Sequence, residues 1–394
     1  MKAVIMAAGV STRTFPITVT TPKPLIRIAN KEILARTLEN LSGLVDEVLL
    51  IVGYKIEMIK TFLQDKDYGF KITLVEQKEQ LGTGHALLQC RPYLDGRFIS
   101  MGGDDYFSRR DIEKLLQHDY AILTKKVDDP SKFGVCFADR GVLKKIVEKP
   151  KIPVSYQGNT ACYVFDNKIF DALKRIKKST RGEYELTDAI NLLAETVDIK
   201  VVDGEDWVAG STFPHLFQMN NFHLDNMEPK IDGEVSDKAH IEGKVFIGRG
   251  TRVLPGACIE GPVMIGENCV IGPNCHIRPY TTIGDNCKIR NGAEIKGSII
   301  GNVAKGFHQS YVGNSILGND VNIAAGTIIT NWRHDNQNIK TWINGQLVDT
   351  GCRKFGAVIA DGCRLGAGTI IYPGRKMWPG KTTLPGEIVK NDIK

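Results

Sequence analysis

The sequence predicts two successive folds: an α/β domain built on a mostly parallel sheet, followed by a β-helix of short repeats. Residues 1 to about 205 alternate apolar, strand-like runs with helix-like segments, as a mostly parallel sheet covered by helices requires. From Ile241 to Ile295, an isoleucine or valine returns at every sixth position, which is the period of a stacked β-helix. A chain of 394 residues is also too long for one ordinary core.

The composition argues against several classes of partner. A net charge of +6 is small for 394 residues and gives no support for nucleic-acid binding. No apolar run approaches the length of about eighteen residues that a membrane helix needs. The nine cysteines lack the C-x-x-C and C-x-x-H spacings of metal and redox motifs. We therefore expect a cytoplasmic protein with reduced, buried thiols, which binds neither nucleic acid nor membrane.

The first residues of the chain are suited to phosphate binding. An apolar run over residues 3–6 suits a buried parallel strand and leads into the small and hydroxyl residues 7–12. Backbone N–H groups in such a loop can approach phosphate oxygens, and Arg13 and Lys23 would neutralise their charge. The loop matches neither the Walker motif nor the G-x-G-x-x-G of dinucleotide sites. The alternative is an ordinary strand and turn with two surface cations.

The rest of the first domain is predicted from apolar periodicity. Strands are expected over residues 48–52, 72–75, 98–101, 121–127 and 201–202, and helices over residues 32–41, 56–63, 112–117 and 186–194. Extended pieces over residues 134–137, 143–147 and 162–165 predict a smaller antiparallel lid over the ends of the sheet. Ligands of such sheets bind at the carboxyl ends of the strands.

Two carboxylates, Asp104 and Asp105, closely follow the predicted strand over residues 98–101. Carboxylate oxygens are ligands that Mg²⁺ prefers, and the end of a parallel strand is where a substrate would bind. The alternative is that these residues only make a loop polar or cap a helix.

Three motifs resemble those of the sugar-1-phosphate nucleotidylyltransferases. Residues 9–13 and 22–24 resemble the family's G-x-G-T-R…P-K-P motif, with a serine in place of its second glycine. Residues 77–85 resemble its base-reading segment, and residues 147–150 resemble its V-E-K-P motif. The resemblance implies nucleotidyl transfer from UTP or dTTP to a sugar-1-phosphate, with release of pyrophosphate.

The resemblance also assigns roles to individual residues. It makes Arg13 and Lys23 catalytic, acting on the triphosphate, and Asp104 the ligand of Mg²⁺. The residues implied in nucleotide binding are Gly9, Ser11, Thr12, Gln77, Gly82 and Thr83. Those implied in binding the sugar phosphate are Gly134, Glu148, Lys149 and Asn159.

One position departs from the family. Its second metal carboxylate usually lies in a W-x-D-x-G-T motif, whereas Trp207 to Thr212 of this chain place Ala209 in that position. Alanine cannot coordinate a cation. Either Mg²⁺ is held by Asp104, phosphates and water, or nucleotidyl transfer is weakened or lost.

After the first domain, the sequence predicts an amphipathic helix over residues 211–227, and the six-residue period begins beyond it. We expect domains over residues 1–210 and 231–394, joined by a linker helix over residues 211–230. The aliphatic residue of each hexad would point inward, and the small residue four positions later would occupy a corner of the coil. Small residues of this kind include Cys269, Cys275, Cys287 and Cys363, so a metal or disulfide role for them is not expected. The left hand of the coil and a homotrimeric assembly are implied by resemblance to hexapeptide-repeat transferases.

Polar residues of the repeat region resemble the acetyltransferase arm of the bifunctional N-acetylglucosamine-1-phosphate uridyltransferase/glucosamine-1-phosphate acetyltransferases. The resemblance makes His308 the general base that takes a proton from the sugar amine, a task suited to imidazole. It implies that acetyl-CoA lies against Ala325. The residues implied in binding the sugar phosphate are Arg278, Lys296, Tyr311, Asn322 and Asn331. Residues 331–356 interrupt the hexads, as a projecting loop would, and resemble the archaeal members.

The predicted function is therefore that of a bifunctional transferase that acts on small sugar phosphates and nucleotides. Two alternatives stay open. The β-helix is purely structural and the chain only transfers nucleotidyl groups, or the chain is a regulatory or binding homologue without nucleotidyl transfer. Ala209 is the only support for the second alternative.

Overall fold

The computed structural model describes residues 1–152 and 155–394. They form two compact units: residues 1–10, 22–25 and 33–209 make the first, and residues 11–21, 26–32 and 210–394 make the second. No helix of the described residues is both long enough and apolar enough to cross a membrane.

The first 209 residues contain eleven strands and seven α-helices within the described part of the chain. The strands are β1 (Lys2–Met6), β2 (Arg27–Ile28), β3 (Lys31–Glu32), β4 (Glu47–Val52), β5 (Lys71–Glu76), β6 (Phe98–Gly102), β7 (Ala121–Lys126), β8 (Gly134–Asp139), β9 (Val142–Glu148), β10 (Gln157–Phe165) and β11 (Lys200–Asp203). The helices are α1 (Ile17–Thr20), α2 (Ile33–Leu41), α3 (Ile56–Leu63), α4 (Thr83–Leu88), α5 (Arg109–Leu115), α6 (Lys168–Leu173) and α7 (Leu186–Leu193).

Nine of these strands form one sheet in the order β5-β4-β1-β6-β10-β7-β11-β9-β8. Strands β5, β4, β1 and β6 are parallel neighbours, and β7 is parallel to β11. The predicted mostly parallel α/β sheet is confirmed. The carboxyl ends of β1 and β6 lie side by side, so the loop after β1 and the carboxylates after β6 begin at the same edge.

The prediction of a separate antiparallel lid was wrong. Residues 162–165 belong to β10, which lies inside the sheet, antiparallel to both β6 and β7. All four of these side chains are buried, whereas a lid strand over the sheet ends would expose one face to solvent. The other two extended pieces form the antiparallel hairpin β8–β9, which continues the same sheet at its edge.

The second unit contains helix α8 (Phe213–Asp225) and a β-helix in which each coil contributes short strands to three parallel sheets. The strands are β12 (Lys230–Ile231), β13 (Glu234–Val235), β14 (His240–Glu242), β15 (Val245–Ile247), β16 (Arg252–Val253), β17 (Cys258–Glu260), β18 (Val263–Ile265), β19 (Val270–Ile271), β20 (His276–Ile277), β21 (Thr281–Ile283), β22 (Lys288–Ile289), β23 (Glu294–Lys296), β24 (Ile299–Ile300), β25 (Lys305–Gly306), β26 (Tyr311–Gly313), β27 (Ile316–Leu317), β28 (Asn322–Ile323), β29 (Ile328–Ile329), β32 (Val358–Ile359), β33 (Arg364–Leu365), β34 (Ile370–Ile371), β35 (Lys376–Met377) and β36 (Ile388–Val389), with β30 (Lys340–Ile343) and β31 (Gln346–Asp349) as a separate antiparallel pair.

The coil-to-coil register follows the hexads. Ile247, Ile265 and Ile283 are successive partners in the first of the three sheets, eighteen residues apart. The next two coils are one residue shorter, since Ile283 pairs with Ile300 and Ile300 with Leu317. The sequence prediction missed this shortening: its strict six-residue count stopped at Ile295 although the stack continues.

The buried interior of the β-helix is an aliphatic column with small residues at its corners. Cys269, Cys275, Cys287 and Cys363 are buried there, as the hexad pattern predicts.

The interruption of the hexads is a projecting segment that contains the β30–β31 hairpin. It is inserted between β29 and β32, and the first sheet continues across it because β27 pairs with β32. Helix α8 belongs to the same unit as residues 26–32. The buried Asn220 of α8 joins them to the β-helix, because its Oδ1 accepts hydrogen bonds from Ala29 N and from Thr282 Oγ1.

We predict that Ile329→Ala destabilises the β-helix far more than Ile328→Ala. Ile329 is fully buried, whereas its neighbour Ile328 is 40% exposed. Truncating a buried isoleucine costs about 2–5 kcal/mol, because transfer free energy is lost and a cavity is left. Calorimetry should therefore show a fall of roughly 5–15 °C in the unfolding midpoint of Ile329→Ala. Equal midpoints for the two variants would contradict the inward stacking.

Candidate active sites

The first unit places Lys23 and Asp104 in direct contact. Lys23 Nζ donates to Asp104 Oδ2 over 2.6 Å, and the lysine side chain is only 3% exposed while the aspartate is 36% exposed. A buried ammonium needs a partner for its charge, which this carboxylate supplies. The structure thus joins two predicted site residues that are far apart in the sequence, at the carboxyl end of β6.

The segment that carries Ala209 runs beside these carboxylates. Tyr106 and Val208 exchange two backbone hydrogen bonds of 2.9 and 3.1 Å, and Trp207 Nε1 donates to Asp105 Oδ2 over 3.2 Å. Ala209 is buried next to this antiparallel bridge, where the sequence comparison with the family led us to expect a second acid.

The residues at this edge of the sheet could supply one carboxylate ligand to Mg²⁺. Asp104 offers one carboxylate, and no cluster of three His, Cys, Asp or Glu ligand atoms forms here among the described residues. Mg²⁺ commonly uses one or two carboxylates and completes its shell with substrate phosphates and water. One carboxylate therefore suits a metal that is bound together with the nucleotide.

The segment predicted to read the base is built around a glycine. Gly82 has a φ of +103°, and a Cβ there would lie 2.7 Å from Tyr184 O, so no other residue fits without a shift. Gln77 Nε2 donates to Gly82 O over 3.3 Å and lies 3.0 Å from His85 Nδ1. Thr83 does not cap helix α4, since Gly82 is at the N-cap; its hydroxyl accepts a hydrogen bond from Leu186 N.

The four predicted sugar-phosphate residues of this unit lie around one end of the β8–β9 hairpin. Gly134 is paired with Glu148, and a Cβ on Gly134 would lie 2.9 Å from Glu148 Oε1. Lys149 follows with a φ of +44°, and its N–H donates to Phe133 O. Asn159 lies nearby because its neighbour Gly158 pairs with β8. Its amide holds Tyr163 OH at 2.8 Å.

The loop with the remaining phosphate-binding candidates belongs mostly to the second unit. Gly9 is in the first unit, and Ser11, Thr12 and Arg13 are in the second, where Thr12 and Arg13 are exposed. Ser11 has a φ of +57°, and its carbonyl accepts hydrogen bonds from the hydroxyls of Thr14 and Thr18, each over 2.9 Å. These bonds fold the loop on itself.

Lys376, in β35, contacts this loop at Phe15, and sequence reasoning missed it. Its buried ammonium donates to Phe15 O over 3.2 Å and to Trp342 O, and it lies over the ring of Phe213. Burial lowers the pKa of Lys376 from 10.5 to about 8. No motif marks it, because the contact depends on how the last coil packs.

The second sheet of the β-helix is formed by β13, β16, β19, β22, β25, β28 and β33, and the third by β14, β17, β20, β23, β26, β29, β34 and β36. The third sheet gathers four of the predicted acetyl-site residues. Arg278, Lys296 and Gly313 lie at matching positions of three successive coils. Tyr311 OH donates to Asn331 Oδ1 over 3.3 Å, and Asn331 Nδ2 donates to Asn314 Oδ1 over 2.7 Å.

Positive charge is concentrated at this cluster. Burial, with the nearby charges of Arg278 and Lys354, lowers the pKa of Lys296. Arg278 also pairs with Glu294 over 2.9 Å. Lys354, from the inserted segment, is a further residue at this cluster. Sequence reasoning assigned it no role, because the insertion prevents a residue-by-residue match of this segment with the bacterial enzymes. An anion would relieve the repulsion between these cations.

The other acetyl-site candidates occupy different positions in a single chain. His308 is exposed at the corner between the second and third sheets, and Ala325 is at the same corner of the next coil, where Gly326 N donates to His308 O. Asn322 lies in the second sheet, paired with Lys305 and Arg364. One chain therefore brings together Arg278, Lys296, Tyr311 and Asn331, but not Asn322.

Comparison with known proteins matches both parts of the chain. A nucleotidyl transferase family model matches residues 2–226, and a bacterial transferase hexapeptide model matches residues 244–279 and 262–297. A putative glucose-1-phosphate thymidylyltransferase structure from Bacillus anthracis, solved with sucrose, superposes with a TM-score of 0.53 at 28% identity, covering 58% of this chain and 98% of that one. The stacked parallel strands and the hexapeptide match confirm the predicted β-helix and are consistent with a left-handed coil.

Relatives that match over the full length are named as bifunctional proteins. The bifunctional protein GlmU of Methanococcus aeolicus is 36% identical over 405 residues, which cover 100% of this chain and 96% of that protein. A bifunctional sugar-1-phosphate nucleotidylyltransferase/acetyltransferase of Sulfurisphaera tokodaii is 36% identical, covering 100% and 98%. The chain therefore belongs to the nucleotidyl transferase family and, over its whole length, to the group of archaeal GlmU-like bifunctional sugar-1-phosphate nucleotidylyltransferase/acetyltransferases.

Proposed function

We propose that the chain makes nucleotide sugars by two reactions. The second unit transfers an acetyl group from acetyl-CoA to an amino-sugar-1-phosphate. The first transfers a nucleotidyl group from UTP or dTTP to a sugar-1-phosphate, such as N-acetylglucosamine-1-phosphate or glucose-1-phosphate. The observation that supports nucleotidyl transfer is the Lys23–Asp104 pair at the end of β6. The segments proposed to recognise the base and the sugar lie in the same unit.

In nucleotidyl transfer, the sugar phosphate oxygen attacks the α-phosphorus of the nucleotide and pyrophosphate leaves. The protein positions both substrates and neutralises their charge. Lys23 and Arg13 act on the triphosphate, Lys149 on the sugar phosphate, and Glu148 accepts hydrogen bonds from sugar hydroxyls. Asp104 would hold Mg²⁺, which supplies charge neutralisation when bound with the nucleotide.

In acetyl transfer, the sugar amine attacks the thioester carbonyl and the CoA thiolate leaves. His308 takes the proton from the amine, and its exposed position at a corner leaves room for a substrate. Arg278 and Lys296 hold the phosphate, with Tyr311 and Asn331 on the sugar. The crowding of cations around Lys296 supports the binding of a phosphate dianion there.

We further propose a homotrimer in the cytoplasm. The acetyl-site candidates of one chain lie on two faces of the coil, with Asn322 on the second sheet and the cationic cluster on the third. Packing of a second chain against this edge would bring the Asn322 of one subunit to the cluster of another. Sedimentation of the full chain tests the assembly.

A regulatory homologue without nucleotidyl transfer is the second candidate, and Ala209 is the observation that favours it. The intact Lys23–Asp104 pair favours the enzyme. The experiment that separates them is an assay of the unmodified chain for pyrophosphate release and for CoA release. No pyrophosphate release with any nucleotide and sugar phosphate tried would overturn nucleotidyl transfer.

Asp104→Asn is expected to lower pyrophosphate release by about 100-fold or more, because it removes the proposed ligand of Mg²⁺ and the partner of Lys23. CoA release should stay unchanged. Asp95→Asn is the matched control, since Asp95 is 94% exposed and precedes β6 rather than following it. If Asp104→Asn retained normal pyrophosphate release, Asp104 would not be a site residue.

His308→Asn is expected to lower CoA release by roughly 100- to 10,000-fold, because general-base catalysis contributes on that order. Pyrophosphate release should be retained. His118→Asn, in the first unit, serves as the control. Unchanged CoA release by His308→Asn would leave the imidazole without the proposed role and favour a structural β-helix.

Ala209→Asp is expected to lower the Mg²⁺ concentration needed for half-maximal pyrophosphate release several-fold. The new carboxylate would lie beside Asp104 and Asp105, across the Tyr106–Val208 bridge, and give the cation a second ligand. Ala209→Asn matches the aspartate in size and should give a smaller change. The same Mg²⁺ dependence in all three proteins would show that position 209 does not face the metal.

A further inference from the structure

We propose that Cys258, Glu260 and His276 form a binding site for one divalent transition-metal ion of the Zn²⁺ class, separate from the Mg²⁺ site proposed at Asp104. The site lies on the outer face of the third sheet of the β-helix, across strands β17 and β20. Neither of the two proposed reactions uses these three residues.

The parallel register brings the three side chains to one place. Cys258 and His276 are direct partners in neighbouring coils, eighteen residues apart. Cys258 and Glu260 flank the fully buried Ile259, so both project from the opposite, outward face of β17. His276 precedes the buried Ile277 and projects outward in the same way.

The distances suit a small cation. One ligand atom from each residue, the thiol sulfur, a carboxylate oxygen and an imidazole nitrogen, lies within 4.8 Å of the other two. Zinc bonds of about 2.0–2.3 Å in a tetrahedron place ligand atoms roughly 3.3–3.7 Å apart. Small side-chain rotations therefore close the site, and water would supply the fourth ligand. No other group of three such ligand atoms is found in residues 1–152 and 155–394.

One nitrogen at the site is buried without a hydrogen bond. His276 Nε2 lies 3.0 Å from Glu260 Oε1 but has no hydrogen bond of normal geometry within the described chain. A buried ring nitrogen that makes no hydrogen bond can act as a ligand of an ion. A metal ion between the ring nitrogen and the carboxylate would satisfy both atoms.

The charge around the site favours a cation. Glu242 is the partner of Glu260 in the preceding coil, and His240 is the partner of Cys258. Arg278, two residues after His276, is paired with Glu294 over 2.9 Å. Burial and the carboxylates of Glu260 and Glu242 raise the pKa of Cys258, and a bound cation would reverse this by coordinating the thiolate.

The hexad pattern does not explain Cys258, in contrast to the corner cysteines. Cys269, Cys275, Cys287 and Cys363 are buried at inward corners, whereas Cys258 is half-buried on an outward strand position. A set of one thiolate, one imidazole and one carboxylate selects Zn²⁺ and its neighbours over Mg²⁺, which prefers oxygen ligands alone.

The test uses the full-length chain, freed of metal by dialysis against a chelator and titrated with Co²⁺ as a spectroscopic probe. Asp104→Asn serves as the background, so that binding at the nucleotidyl site does not contribute. We expect one equivalent of Co²⁺ with a thiolate-to-cobalt band in the near ultraviolet, which Zn²⁺ displaces. Weak binding without that band, or none, would overturn the proposal.

Cys258→Ser should abolish the thiolate band, and His276→Gln should lower the Zn²⁺ affinity at least tenfold. Cys352→Ser, which changes another half-buried cysteine, should leave both unchanged. Thermal midpoints of the metal-free variants verify that each is folded. Metal content and affinity equal to those of the parent chain in folded Cys258→Ser and His276→Gln would overturn the site.

Discussion

The stacking of aliphatic side chains from coil to coil is the constraint on which the second unit depends. Each inward isoleucine or valine must lie over its equivalent in the next coil, because only then is the column of apolar groups shielded from water. The strands of the coils have only two or three residues each and have no stability of their own. The register between coils is therefore strongly specified, and with it the position of every outward side chain.

This register converts distance in the sequence into contact on the surface. Residues about eighteen positions apart become neighbours, which places Arg278 beside Lys296 and Cys258 beside His276. The two coils of seventeen residues keep the stack intact although the hexad count fails. The coil can also accept the inserted segment between β29 and β32 without losing a sheet. Polar clusters can therefore form on the outside of the coil while the apolar interior stays stacked.

In the first unit, the corresponding constraint is a charge that must be compensated. Lys23 is almost fully buried, and Asp104 at the end of β6 is the group that neutralises it. In the proposed function a lysine of each unit meets a phosphate, and each of these lysines lies close to another charged group. Lys23 is paired with a carboxylate, whereas Lys296 is crowded by Arg278 and Lys354, which lowers its pKa. Under the proposed function, the first arrangement would meet a triphosphate bound with a metal and the second a sugar phosphate without one.

Local sequence patterns were sufficient for the type of each fold. Apolar runs of strand length predict the parallel strands around β1, and the six-residue period predicts the inward column, since both patterns reflect which side chains face water. The same patterns did not place residues 162–165, because the apolar composition of a strand does not show which neighbours it has in a sheet. They also missed the shortened coils, where a five-residue step from Ile295 to Ile300 hides the repeat.

From the sequence alone, resemblance to the motifs of known families supplied the candidate residues of both sites; Gly82, Asp104 and Lys149, for example, lie in short contiguous motifs of the first domain. Only the tertiary structure decided which residues meet. The Lys23–Asp104 pair, the contact of Lys376 with Phe15 O and the Cys258–Glu260–His276 cluster join residues from different strands, loops or coils. Such contacts depend on sheet order and coil register, which are set by packing over the whole unit and leave no local trace in the sequence.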